Sequence, residues 1–194
     1  IPYTLVAIGF VILAIGIYFT KLPDIQDEEI VDSSSTNDKS IFTFPHLWLG
    51  VIALFLYVGV EVLSYDTIIG LGNSLGVPLA KAKYFASFTG TFMLVGYVIG
   101  ILTIPKIISQ EKALIISAIA GLVLTILLLV TRNTVPVIAL ASLGLANALM
   151  WPAIWPLAID GLGKHIKLGS AFLIMAIAGG AVIPFIYGKL FDFE

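Results

Sequence analysis

Glu61 stands near the middle of a long apolar run, Leu47 to about Leu75, inside Tyr57-Val58-Gly59-Val60-Glu61-Val62-Leu63-Ser64-Tyr65-Asp66. A charge at the centre of a bilayer costs about 2.5–3.5 kcal/mol on insertion scales, so a chain that keeps one there turns it toward a polar cavity or protonates it. On a helix, Tyr57, Glu61 and Tyr65 recur every fourth residue and share one face, with Ser64 beside them. That face offers a carboxylate, a hydroxyl and two aromatic rings in otherwise dry surroundings. A second constellation lies in Ser142-Leu143-Gly144-Leu145-Ala146-Asn147-Ala148-Leu149-Met150-Trp151-Pro152-Ala153-Ile154-Trp155-Pro156, where Asn147, Trp151 and Trp155 repeat the same spacing. An amide both donates to and accepts from a polyol, and an indole presents a flat apolar face and one N–H donor. Pro152 and Pro156 remove backbone donors and free the carbonyls near residues 148 and 152. Within a membrane such irregularity is tolerated only beside protein or a water-lined cavity. A kinked helix with Asn147 bonded to a neighbouring helix and Trp155 near the headgroups accounts for the same residues, so both readings stand at this point.

The elements that must position these groups are transmembrane helices. The chain has 194 residues, of which 59% are hydrophobic and 11% charged, and its mean hydropathy is +1.08. An ordinary soluble domain is about 25% charged. Long apolar runs, rather than alternation, identify an all-α membrane protein and not a barrel. Six segments are expected to cross, at about 3–22, 47–74, 84–108, 113–131, 135–159 and 168–190. A net charge of −2 without a basic patch speaks against a nucleic-acid partner. The absence of cysteine excludes disulfides and zinc–thiolate sites, and neither His46 nor His165 has a second ligand at metal spacing. No cofactor or metal is expected. No Gly-x-Ser-x-Gly elbow and no mid-membrane histidine occurs, so an intramembrane enzyme is not expected either.

Residues 23–45 form the one extended polar stretch, with Asp27, Glu28, Glu29 and Asp32 followed by Ser33-Ser34-Ser35-Thr36-Asn37-Asp38-Lys39, and read as a solvated linker. The third segment carries Gly96 and Gly100 at the spacing that lets another helix approach closely. The fourth is nearly featureless and suits lipid contact, and the sixth has Gly179, Gly180 and Pro184 for close packing and a kink. With six crossings, Lys21, Lys39, Lys106, Lys112, Lys164 and Lys167 share one side, against Lys81, Lys83, Arg132 and Lys189 on the other. The linker side is therefore expected to be cytoplasmic.

Four stretches in order carry a resemblance: Phe55-Leu56-Tyr57-Val58-Gly59-Val60-Glu61-Val62, then Gly144-Leu145-Ala146-Asn147-Ala148-Leu149-Met150-Trp151-Pro152-Ala153-Ile154, Leu162-Gly163-Lys164-His165, and Met175-Ala176-Ile177-Ala178-Gly179-Gly180-Ala181-Val182-Ile183-Pro184. Together they resemble the fucose permease and glucose/galactose transporter family of the major facilitator superfamily. The resemblance implies a twelve-helix carrier, two six-helix halves joined by a cytoplasmic loop. This chain then looks like a fragment covering about helices six to eleven. Residues 1–22 would be the last helix of the N-terminal half, 23–45 the linker between halves, and 46–194 the C-terminal half, five helices with the final one missing. It further implies proton-coupled symport of a monosaccharide (hexose, deoxyhexose or N-acetylhexosamine) across the inner membrane by alternating access, with the missing N-terminal half as partner. Carried over by position, Glu61 and Asn147 match polar residues facing the central cavity, while Trp151 departs from the family's commoner phenylalanine. With Tyr57 and Tyr65 these are the candidate substrate-binding residues. Glu61 would either carry a proton or accept hydrogen bonds from sugar hydroxyls, which charge strengthens. Sugar recognition is preferred, because the carboxylates that the resemblance links to protonation lie in the missing half. The competing expectation is a complete six-helix structural or channel protein.

Overall fold

The computed structural model describes residues 2–20 and 40–191, and the chain divides into two compact units, 1–38 and 39–194. In the first unit, α1 (Pro2–Phe19) is an unbroken apolar helix of 18 residues. Thr20 closes its end by donating its hydroxyl to the Gly16 carbonyl at 2.8 Å. Residues 23–39 of the expected linker, with Lys21 and Lys39, lie outside the described residues.

The second unit contains five spans long and apolar enough to cross a membrane. They are built from α2 (Pro45–Ser74), the single turn α3 (Leu79–Ala82) with α4 (Phe85–Thr103), α5 (Gln110–Val130), α6 (Val135–Asn147) with α7 (Met150–Ile159), and α8 (Ile166–Ala176) with α9 (Gly179–Phe191). Helix is the form that satisfies every backbone donor within one segment when no water is at hand. The same demand falls on the hydroxyls. Thr67, Thr91, Thr103 and Thr125 each donate to the carbonyl one turn back, at 2.7–2.8 Å. Ser109 caps α5 by accepting from the Lys112 N–H at 3.4 Å. The α5–α6 turn is closed by Asn133 in the left-handed region, φ 62°, where asparagine is among the few tolerated residues.

Three boundaries depart from the sequence expectation. The third span stops at Thr103 instead of continuing to 108, because Pro105 cannot donate and Ile104 ahead of it turns extended. The fifth expected segment is two helices with a break after Asn147, at the carbonyl that Pro152 releases, while Pro156 lies within α7. The sixth breaks likewise between Ala176 and Gly179.

Directions alternate, and α2 is central, packing on α4, α6, α7, α8 and α9. Gly50 of α2 lies on Ala158 of α7, and Ile68 clusters with Leu140 of α6, so α2 runs antiparallel to the α6–α7 span. Gly72 lies on Phe85, and Tyr65 reaches Met93, so α2 is also antiparallel to α4. Gly59 meets Ile183, and Gly179 meets the Phe55 carbonyl, so α2 and α9 run parallel. Backbones also approach closely between α4 and α6, where Gly144 rests on the Thr89 carbonyl. Gly96 and Gly100 take up Ala148 and Leu149 from the same span, as the small-residue spacing predicts. In contrast, α5 buries only Ala113 and Ser117 and leaves most of its Ile and Leu exposed.

Candidate functional site

Register brings the two constellations to one depth. With Gly50 opposite Ala158 and Ile68 opposite Leu140, Glu61 falls level with Asn147. With Gly72 opposite Phe85 and Tyr65 opposite Met93, Glu61 falls level with Tyr97 of α4. All three lie well inside their spans.

The side chains near Glu61 are phenols, of which one hydrogen-bonds it. The Tyr57 hydroxyl meets its carboxylate from one turn earlier. Tyr65, one turn later, and Tyr97, from α4, are close enough to feel its charge. No lysine, arginine or histidine among the described residues neutralises it. The side chain is half-buried, while Tyr57 is 5% exposed. Such a carboxylate keeps acceptor capacity for a ligand's hydroxyls.

Two of the expected groups behave differently from the sequence reading. Ser64 is buried, and its hydroxyl donates to the Glu61 backbone carbonyl at 2.7 Å, so it is committed to its own helix. Tyr65 turns toward α4, donating to the Met93 sulfur at 3.3 Å. Asn147 is buried at 7% exposure, and its Nδ2 finds no partner among the described residues, which removes the expectation that it bonds a neighbouring helix. A buried amide donor left unpaired costs about 1–3 kcal/mol unless a ligand or water satisfies it. Trp151 and Trp155 are half-buried and stacked, with centroids 5.8 Å apart and planes 16° apart. Trp151 packs against the cluster that holds Tyr57, Val58 and Ile154, which ties it to the Glu61 face.

The sequence reading missed the α4 side of this region. Tyr65, Gly90, Met93, Leu94 and Tyr97 border a groove of about 430 Å³ between α2 and α4. The hint was present, since Gly90, Met93 and Tyr97 lie three and four residues apart, one helical stripe. Thr89 was missed as well: fully buried, with a hydroxyl lacking a partner among the described residues. A groove of about 1090 Å³ runs along the neighbouring α2 face past Val60, Ser64, Thr67 and Ser74 to Arg132. Of the polar groups on the Glu61 and Asn147 faces it shares only Ser64, whose hydroxyl is already used. At the other end of α2, His46 Nε2 lies 2.9 Å from the Asp160 carbonyl, a helix-end contact in keeping with its interfacial position.

The chain is 36% identical over 200 residues to a glucose/galactose transporter of Brucella abortus, covering 98% of this chain and 47% of the relative. It is 32% identical over 198 residues to a putative glucose/galactose transporter of Helicobacter pylori, covering 98% and 46%. With the L-fucose-proton symporter of Escherichia coli it shares 28% identity over 199 residues, covering 98% and 45%. The chain is a homologue of these sugar transporters. It spans about half the length of the curated relatives it matches. Its fold is that of part of a major facilitator superfamily transporter: the crystal structure of FucP, in the outward conformation, superposes with a TM-score of 0.75 at 24% identity, over 98% of this chain and 47% of that one. No protein-family model matches the chain. Its homologues are transporters rather than enzymes, and the apolar spans agree with a multi-pass membrane protein.

Proposed function

We propose that this chain is part of a secondary active transporter that carries a monosaccharide together with a proton across the inner membrane by alternating access. One observation carries the reading. A carboxylate without a cationic partner among the described residues is kept well inside a span, level with a buried unpaired amide and ringed by three phenols. A hexose, deoxyhexose or N-acetylhexosamine supplies what those groups lack: hydroxyl donors for Glu61, acceptors for Asn147 Nδ2, and an apolar face for Trp151. Tyr57 and Tyr65 complete the wall. The names of the relatives, glucose/galactose transporter and L-fucose-proton symporter, support the substrate class and the coupling. In this arrangement α1 is the last helix of an N-terminal half, residues 23–45 are a cytoplasmic connection, and 46–194 belong to a C-terminal half whose final helix lies beyond residue 194. The two halves rock about a sugar held at mid-depth.

Reconstituting the intact protein in proteoliposomes tests this. An inward proton gradient should drive uptake of one of D-galactose, D-glucose, L-fucose or N-acetyl-D-glucosamine, and a protonophore should abolish the accumulation. Ion conductance with no sugar accumulation under any gradient would instead support the channel alternative.

A further inference from the structure

We propose that Trp155 is a positioning residue: stacked on Trp151, it fixes that indole as a platform for the apolar C–H face of a pyranose. This deepens the carrier reading and rests on it. The two rings are nearly parallel, 16° apart, with centroids at 5.8 Å. They lie one turn apart on α7, so they stack along the helix. Trp155 stands one turn after Trp151 and Asn147 one turn before it, so the face proposed for the sugar is the one turned away from Trp155. Both indoles pack against the cluster of Tyr57, Val58 and Ile154, so the pair is held as a unit. Each tryptophan is followed by a proline, Pro152 and Pro156, whose fixed φ holds this stretch of backbone in place.

An aromatic ring binds a saccharide through C–H groups gathered on one side of the pyranose, leaving the hydroxyls at the edge. A ring of fixed orientation at this depth sends those hydroxyls toward Glu61, which the register brings level with Asn147. The ligand class is thus a pyranose whose configuration leaves one face free of axial hydroxyls, with polar groups along the edge that meets Glu61. Trp155 makes no contact with the sugar. It acts by denying Trp151 other orientations.

The intact protein is titrated with D-galactose, D-glucose, L-fucose and N-acetyl-D-glucosamine in turn, comparing wild type with Trp155→Leu, Trp155→Phe, Trp151→Phe and Glu61→Gln. Trp155→Leu should raise Kd for the tightest-bound sugar roughly fivefold, and it should also lower the ligand-free melting temperature, because the ring pair exists without the sugar. Trp155→Phe, which keeps a stacking ring, should restore the affinity. The sugar-induced change in tryptophan fluorescence should survive Trp155→Phe and vanish in Trp151→Phe, a signature that decides the matter even if Trp155→Leu does not fold. Unchanged affinity in Trp155→Leu, or a fluorescence change that persists in Trp151→Phe, overturns the positioning role while leaving Glu61 in the site. Failure of the wild type to bind any of these four sugars overturns the carrier reading and this inference with it, and unaltered binding by Glu61→Gln removes Glu61 from the site and with it the pose this inference needs.

Discussion

At the scale of the residue, a carboxylate inside an apolar helix must be met by something other than water. Glu61 is met by the Tyr57 hydroxyl and by the nearby Tyr65 and Tyr97, and no cation among the described residues approaches it. One phenol, Tyr57, satisfies part of the carboxylate's hydrogen-bonding capacity without neutralising it, so the ligand-free protein bears a desolvation cost at this position. Glu61→Gln keeps the shape and removes the charge. Its melting temperature in detergent should rise by a few degrees, a gain on the order of 1 kcal/mol, whereas a residue serving only as a structural ion partner would lose stability on the same change. The carboxylate and its face were legible from Tyr57, Glu61 and Tyr65 alone, because helical spacing is a property of one segment. Tyr97 was not, since its approach to Glu61 depends on how α4 slides against α2. The fate of the Ser64 hydroxyl was likewise hidden: spacing put it beside the carboxylate, but its bond goes to the backbone.

At the scale of the element, the seam between α4 and α6 holds the site's walls together. Gly144 rests on the Thr89 carbonyl, and a methyl group there would collide with backbone, which cannot swing aside as a side chain can. Gly144→Ala should therefore cost about 1–3 kcal/mol, read as a lower melting temperature and weaker sugar binding as Asn147 moves with its helix. Gly70→Ala is the control: nothing lies within 4 Å of the added carbon, and the helix gains up to about 1 kcal/mol in propensity. Equal losses at both positions would remove the seam from the account. The spans themselves were legible because only a run of about 20 apolar residues crosses the hydrocarbon. Gly96 and Gly100 announced a close contact without naming Ala148 and Leu149 as its other side. The break at Asn147 was signalled by Pro152, and a kink in the last span by Gly179, Gly180 and Pro184, although the break falls just ahead of them.

For the whole molecule, loop charge supports the orientation proposed, and the chain's lack of native cysteine makes it directly testable. Single cysteines in place of Ser109 and Gly161 should react with a membrane-impermeant maleimide only from the cytoplasmic side, and in place of Gly76 and Asn133 only from the outer side. Reversed labelling would overturn both the orientation and the cytoplasmic assignment of residues 23–45. The likeness to sugar transporters was legible from four motif stretches in order. The sugar of the proposed carrier was not, since the chain would supply one wall of the proposed cavity and the pose of a ligand depends on both. The most direct measurement is a calorimetric titration of the intact protein with its transported sugar, wild type beside Glu61→Gln. Loss of one charge-assisted hydrogen bond predicts a Kd roughly 10- to 100-fold weaker in a variant that is folded and at least as stable as wild type. An unchanged Kd in that folded variant would contradict the claim that Glu61 is kept in the membrane to meet a sugar.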